Sequence, residues 1–105
     1  MEFVKVVRRS DLRNRHATLV RVDGEEIALW SVDGKLYAIN NVCPHQHFSM
    51  LHKGFLDGIN VTCPMHGWTY SLETGTTVSG EGRVRVFKVL VEVDDVLIEA
   101  PAPLW

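Results

Sequence analysis

Two short stretches, Cys43-Pro44-His45 and Cys63-Pro64-Met65-His66, decide how this chain folds. They are separated by 17 residues, so the pattern is C-x-H, a gap, and then C-x-x-H. The two motifs use both cysteines of the chain and two of its 5 histidines. Two thiolates and two imidazoles are a complete ligand set for a metal centre, and we therefore predict that these four side chains bind metal.

The two motifs have three further interpretations: a chance occurrence, a disulfide and a structural zinc site. A chance occurrence of two Cys-His pairs explains nothing about their matched spacing. A disulfide would leave the two histidines without a role and would need an oxidising compartment, yet the N-terminus has no signal-peptide pattern. Structural zinc is at home with two cysteines and two histidines, but zinc-finger spacings usually place both cysteines in one knuckle. Here each knuckle holds one cysteine and one histidine.

Composition and charge narrow the class of protein. A chain of 105 residues with 46% hydrophobic and 23% charged residues suits one globular domain with a modest core. The net charge of −2 gives no electrostatic case for nucleic-acid binding. No apolar run approaches the length that spans a bilayer, so we expect no membrane association. A cysteine pair that is claimed by a metal motif suits a reducing compartment, and we expect a cytoplasmic protein.

The hydrophobic pattern predicts an all-β chain. Asp-Gly pairs at 23–24, 33–34 and 57–58 are strong signals for antiparallel hairpins. One helical turn is predicted at 10–13, with Ser10 as its cap. The predicted strands are Phe3–Val7, Ala17–Val22, Glu25–Ser31, Lys35–Asn40, Ile59–Thr62, Trp68–Leu72, Arg83–Val93 and Val96–Glu99. Both ligand motifs therefore fall in loops that follow strands.

The motif pair resembles the Rieske [2Fe–2S] signature, in which two histidines replace two cysteines on one of the irons. The resemblance continues through Gly67-Trp68-Thr69-Tyr70 and Leu72-Glu73-Thr74-Gly75. It implies the Rieske fold, an antiparallel β-sandwich or barrel base with a small cluster-binding subdomain of two ligand loops. We accordingly expect a single domain over residues 1–105, with the cluster-binding subdomain at about 41–72.

The resemblance also implies one [2Fe–2S] cluster per chain. Cys43 and Cys63 would hold the inner iron, and His45 and His66 the outer iron. With two ferric ions, two sulfides, two thiolates and two neutral imidazoles, the oxidised centre carries no net charge, whereas a four-cysteine cluster would be a dianion. A neutral centre accepts an electron more readily, which is why histidine ligation raises the reduction potential.

Residues beside the motifs are expected to tune that potential. Tyr70 matches a family tyrosine that hydrogen-bonds a ligand sulfur. Trp68 stands where high-potential members have a serine that donates to a bridging sulfide, and the chain has no further cysteines for their bracing disulfide. The segment 79–82 is the expected cover of the cluster and lacks the proline that is frequent there. These departures predict a potential in the low Rieske range.

The stretches 43–52 and 59–72 contain no aspartate, glutamate, lysine or arginine. An uncharged and partly apolar tip suits transient docking, although the same side chains could simply shield the cluster. His52, like His47, lies off the ligand register and is interpreted either as a surface-loop histidine or as an extra imidazole beside the cluster. The residues predicted to contact a partner are His47, Phe48, Met50 and Met65.

The resemblance implies a soluble one-electron carrier, a Rieske-type ferredoxin without turnover of its own. It would pass electrons from a flavin-dependent reductase to a terminal oxygenase or another oxidoreductase, and it would be a monomer. The alternatives are a small Rieske subunit of an enzyme such as nitrite reductase, the Rieske domain of an aromatic-ring oxygenase, and a zinc-binding domain. The 39 residues after the second motif are too few for the separate iron site of an oxygenase.

Overall fold

The computed structural model of the chain describes residues 2–42, 51–64, 67–79 and 82–100. Within these ranges the chain forms strands and two 3-10 helices, at Arg9–Asp11 and Leu51–Lys53, so the predicted all-β class is confirmed. The strands are β1 (Phe3–Arg8), β2 (His16–Val22), β3 (Glu25–Val32), β4 (Lys35–Asn40), β5 (Phe55–Asp57), β6 (Asn60–Thr62), β7 (Thr69–Ser71), β8 (Thr77–Ser79), β9 (Val86–Phe87), β10 (Val89–Glu92) and β11 (Asp95–Glu99). Neither helix has the length and hydropathy needed to cross a bilayer, and this holds for the described residues.

The strands form three antiparallel sheets. The first has the order β1-β11-β10, the second β2-β3-β4-β9 and the third β5-β6-β7-β8. The first sheet joins the two ends of the chain, because β1 pairs with β11 from Phe3↔Glu99 to Arg8↔Asp95. The third sheet carries the second ligand motif between β6 and β7.

The sheet β2-β3-β4-β9 packs on both of its faces. In β3, Ile27 and Leu29 lie in a core that also contains Val96 and Ile98 of β11. The alternate residues of β3, Ala28, Trp30 and Val32, lie in a second core with residues of β6 and β7. Because successive side chains of a strand point to opposite faces, β3 lies between the other two sheets. Because both faces of β3 are buried, its residues Ile27–Trp30 form an unbroken apolar run.

All three Asp-Gly pairs lie at antiparallel hairpins: β5 and β6 close at the pair Asp57↔Asn60, beside Gly58, and the other two Asp-Gly pairs form the turns themselves. Asp23 and Gly24 have φ angles of 50° and 83°, and Asp33 and Gly34 have φ angles of 49° and 89°. Two consecutive left-handed residues are what a type I′ turn requires, and its twist matches that of the flanking strands. The adjoining pairs Val22↔Glu25 and Val32↔Lys35 therefore close β2–β3 and β3–β4 by two-residue turns.

The structure differs from the sequence prediction in three places. The predicted strand Arg83–Val93 is split, because β9 pairs with β4 while β10 pairs with β11 in another sheet. Ser10 does not cap a helix: the turn starts one residue earlier, and Ser10 Oγ donates to Asp94 Oδ2 at 2.7 Å. Strands β5 (Phe55–Asp57) and β8 (Thr77–Ser79) were not predicted.

Candidate metal centre

Cys63, the cysteine of the second motif, directly follows β6 and is 1% exposed. Its N–H donates to Trp68 O at 2.8 Å, and its carbonyl oxygen accepts from Gly67 N–H at 3.1 Å. Gly67 has a φ of +73°, the left-handed conformation that glycine adopts without strain. These bonds continue the β6–β7 ladder beyond the pair Thr62↔Thr69, so the second ligand loop begins as a closed turn.

The buried Cys63 shares a core with the residues predicted to tune the cluster. Tyr70 is 0% exposed, pairs with Val61 across β6–β7, and belongs to the same core cluster. Trp68 is partly buried and packs against that cluster. The structure therefore brings Cys63, Trp68 and Tyr70 to one side of the third sheet. Their effect on a reduction potential stays a prediction.

The first ligand motif lies between two ends that touch. Leu51 N–H donates to the carbonyl oxygen of Asn41 at 3.1 Å. Leu51 is 0% exposed and lies in the same core cluster as Cys63. The two ends of the first ligand loop therefore lie beside the hydrophobic core that contains Cys63.

A third loop is closed near the same sheet. Thr76 pairs with Arg83 as an isolated bridge, and Thr77 Oγ1 donates to the carbonyl oxygen of Gly82. At its base, Val84 N–H donates to Gly75 O at 2.8 Å. This loop contains the segment 79–82 that was expected to cover the cluster, and that role stays a prediction.

Of the four predicted ligands, only Cys63 belongs to the described residues. Cys43, His45 and His66 lie outside them, as do the predicted docking residues His47, Phe48, Met50 and Met65. In the described part of the chain, no group of three or more His, Cys, Asp and Glu side chains could hold a metal ion. What is described fits an iron–sulfur centre, because Cys63, whose sulfur is a soft donor that suits iron, is buried at the start of a closed loop.

His52, one of the two histidines off the ligand register, is partly buried and contacts a buried amide. Its Nδ1 lies 3.0 Å from Asn41 Oδ1. Burial lowers the pKa of His52 below 6.5, Lys53 lowers it further, and Glu26 opposes both. His52 therefore lies partly buried in the helix Leu51–Lys53, and a role beside the cluster stays a prediction.

Two residues that sequence reasoning did not single out stand beside the site. Asn41 is a fully buried polar residue two positions before Cys43. Asparagine at the end of a strand is an ordinary turn signal, so no pattern marked Asn41 as buried. Phe55 is 68% exposed and pairs with Thr62, the neighbour of Cys63. Exposure of an aromatic side chain is a tertiary property that the sequence does not reveal.

An all-β fold that positions a buried cysteine between two closed loops defines the class of protein. The sequence model of the family described as Rieske [2Fe-2S] domain matches residues 2–90. The chain belongs to the Rieske [2Fe–2S] domain family, as the motif pair predicted. The family implies a [2Fe–2S] cluster.

The relatives are electron carriers. The chain is 29% identical over 101 residues to the ferredoxin component of the naphthalene 1,2-dioxygenase system of Pseudomonas putida, covering 94% of this chain and 96% of the relative. The ferredoxin of carbazole 1,9a-dioxygenase from Nocardioides aromaticivorans has the same fold, with a TM-score of 0.90, 25% identity, and coverage of 96% and 100%.

A chain in a solved complex of reduced oxygenase and oxidised ferredoxin of carbazole 1,9a-dioxygenase is 30% identical, with a TM-score of 0.87. The match covers 98% of this chain and 97% of that one. Taken with the family, these relatives make the chain a ferredoxin-type electron carrier and not an enzyme.

Proposed function

We propose that this carrier holds one [2Fe–2S] cluster through Cys43, His45, Cys63 and His66, and that it delivers single electrons to an oxygenase. The observation that carries the ligand assignment is the burial of Cys63 at a turn closed by two backbone hydrogen bonds. A bound cluster would supply reversible one-electron chemistry. The chain contributes the enclosure: Cys63 lies in a core with Leu51 and Tyr70, where water is excluded.

The terminal oxygenase is the proposed electron acceptor. The support is the 30% identity to a chain in a complex of oxygenase and ferredoxin, together with the relatedness to dioxygenase ferredoxin components. A flavin-dependent reductase is the proposed electron donor, and the carrier acts as a monomer. Redox chemistry with freely exchanging partners requires a small interface that releases quickly.

The ligand assignment is tested on the purified protein. Wild type should contain about two irons and two acid-labile sulfides per chain and be red-brown. The changes His45→Ala and His66→Ala should abolish the cluster, whereas His16→Ala, at the exposed first position of β2, should leave iron content and visible spectrum unchanged. A colourless wild type with stoichiometric zinc would refute the cluster and support the zinc alternative.

The proposed domain spans residues 1–105, with the cluster-binding part at about 41–72. Two features support a single unit. The pairing of β1 with β11 ties both ends of the chain into one sheet, and β3 shares cores with both other sheets. Limited proteolysis of the holoprotein should therefore give no stable fragment that retains iron. A fragment of about residues 41–72 that keeps the visible spectrum would contradict a single domain.

The proposed docking face is the tip formed by the two ligand loops. Its predicted contacts are His47, Phe48, Met50 and Met65. Phe55 extends this face, since it is exposed and lies across from Thr62 at the edge of the second loop. Large exposed aromatic side chains near a functional site are typical contacts of protein interfaces.

Docking is tested by electron transfer from reduced carrier to an oxygenase in stopped flow. Met65→Asp, Phe48→Asp and Phe55→Asp should slow transfer about tenfold or more and leave the cluster spectrum intact, because each places a charge in the contact. Val93→Asp is the matched control, since Val93 is fully exposed in the β10–β11 turn of another sheet. Equal rates for all four variants would place the docking face elsewhere.

A further inference from the structure

Asn41 is a fully buried amide at the point where β4 ends and the first ligand motif approaches. Its N–H donates to the carbonyl oxygen of Glu26 at 3.0 Å, which extends the β3–β4 ladder by one residue. Its side-chain NH₂ donates to Glu26 Oε1 at 3.4 Å. Glu26 is held in turn by Arg21, whose Nη2 lies 3.0 Å from Oε2. One side of Asn41 is therefore fixed to the central sheet.

The backbone and side-chain oxygens of Asn41 accept hydrogen bonds from the residues that follow the first ligand loop. Leu51 N–H donates to its carbonyl oxygen at 3.1 Å, and His52 N–H donates to its Oδ1 at 2.6 Å. His52 Nδ1 also lies 3.0 Å from Oδ1. Because an amide oxygen only accepts hydrogen bonds, Nδ1 must carry the proton in this contact. Asn41 thus supplies acceptors to consecutive N–H groups that begin the helix Leu51–Lys53, and these have no partner inside a helix.

The segment between these ends is short and carries two predicted ligands. Residues 43–50 include Cys43 and His45. Joining the ends of a short segment removes much of its conformational freedom, whatever path the segment takes between them. The placement of both ligands relative to the core that contains Cys63 therefore depends on how Asn41 joins entry and exit. No apolar residue could replace Asn41 without leaving the partly buried N–H of His52 without its acceptor.

We propose that Asn41, held by Glu26 and bonded to His52, is a positioning residue of the metal centre: it sets where the first ligand loop presents its cysteine and histidine to the cluster. This inference rests on the proposed function, because it requires a [2Fe–2S] cluster on the two motifs. It assigns Asn41 and His52 an effect on the electronic properties of the cluster as well as on the fold.

The test compares four variants as purified holoproteins. Asn41→Ala removes the acceptor, and His52→Ala removes one donor. His52→Asn is the conservative variant, because the asparagine Nδ2 takes the place of the imidazole Nδ1 and can donate the same bond. Asn14→Ala is the matched control: Asn14 accepts from Asp33 N–H at 2.7 Å and donates to Asp33 Oδ1 at 3.3 Å, but in an exposed turn.

Four quantities are measured on each: iron content, visible circular dichroism with EPR g values, reduction potential, and the rate of cluster loss to a chelator below the unfolding transition. Asn41→Ala and His52→Ala should shift the spectra and the potential and lose the cluster about tenfold faster or more, the factor expected for one buried hydrogen bond. His52→Asn should restore the wild-type spectra and reduction potential, and its rate of cluster loss should lie within about twofold of the wild-type rate. Asn14→Ala should lower the melting temperature without changing spectra or potential.

The inference is overturned if Asn41→Ala and His52→Ala keep the wild-type spectra and potential, with cluster loss that follows the melting temperature as it does for Asn14→Ala. If Asn41→Ala does not accumulate as folded holoprotein, the contrast between His52→Ala and His52→Asn decides alone, and identical spectra for that pair would refute it. Wild-type iron content is measured first. A wild type without iron refutes the proposed function and this inference together, whereas unchanged variants of an iron-containing wild type refute only the inference.

Discussion

The backbone at Gly75 leaves no space for a side chain, and this predicts a large loss of stability for Gly75→Ala. An ideal Cβ there would lie 2.1 Å from the carbonyl oxygen of Val84 and 3.1 Å from Val86 Cγ1. The φ of Gly75 is +76°, which costs a residue with a Cβ about 1–2 kcal/mol. Overpacking against backbone adds about 1–3 kcal/mol, and the stiffer unfolded chain returns about 0.4–1 kcal/mol. We expect the free energy of unfolding to fall by about 1–4.5 kcal/mol.

The matched control for this change is Gly24→Ala. Gly24 has nearly the same backbone conformation, with a φ of +83°, but nothing lies within 4 Å of its ideal Cβ. Only the backbone strain applies, so the free energy of unfolding should fall by about 1.5 kcal/mol or less, and by less than in Gly75→Ala. Both variants are measured by urea denaturation under one set of conditions. Equal losses for the two variants would refute the steric argument.

The Gly75 change also has an expected effect on the metal centre. Gly75 and Val84 close the base of the loop 76–83, and this loop contains the segment expected to cover the cluster. Opening the base should expose the cluster to solvent, so folded Gly75→Ala should lose iron to a chelator faster than Gly24→Ala. A rate of iron loss equal in the two variants would argue that this loop does not shield the cluster.

Three further changes have definite expected outcomes. Val93 has a φ of +59° in the two-residue turn between β10 and β11, a conformation that glycine adopts without strain. Val93→Gly should therefore raise the melting temperature by roughly 2–6 °C, and an unchanged melting temperature would contradict strain at this turn. Tyr70→Phe should lower the reduction potential by about 40–65 mV if its hydroxyl bonds a ligand sulfur, while Tyr37→Phe, at the edge of the same core, should leave voltammetry unchanged. Because burial lowers the pKa of His52, the stability it contributes is complete above about pH 6.5 and is lost as the pH falls through its folded value. His52→Asn keeps the hydrogen bond without a titrating group, so its urea midpoint should fall less than that of wild type between about pH 7.5 and pH 5; parallel falls would exclude His52 as the source.

Local sequence determined the hairpins and the chemical class of the site. Asp23-Gly24 and Asp33-Gly34 adopt two consecutive left-handed conformations, which these residues tolerate in any context, so the turns and the β2–β3 and β3–β4 registers followed from a few letters. The Cys-His motifs named the family for a similar reason. A ligand set depends on residue type and spacing, and both can be read directly from the sequence.

Tertiary structure alone decided which sheet each strand joins. The alternation of Arg83–Val93 continues through the change from β9 to β10, because a period of two residues shows that one face is buried but not against which partner. The burial of β3 on both faces likewise depends on two other sheets that are distant in sequence.

The hydrogen bonds of Asn41 were likewise decided by tertiary structure and not by local sequence. Its partners Glu26 and His52 lie 15 and 11 residues away, and an asparagine that follows a strand looks the same in sequence whether it is solvated or buried. Water does not compete for the hydrogen bonds of a buried asparagine, so the loss of any one of them costs more free energy than it would at the surface. Local patterns therefore predicted the ligand set, and long-range packing decided that Asn41 bonds the residues on the far side of the first motif.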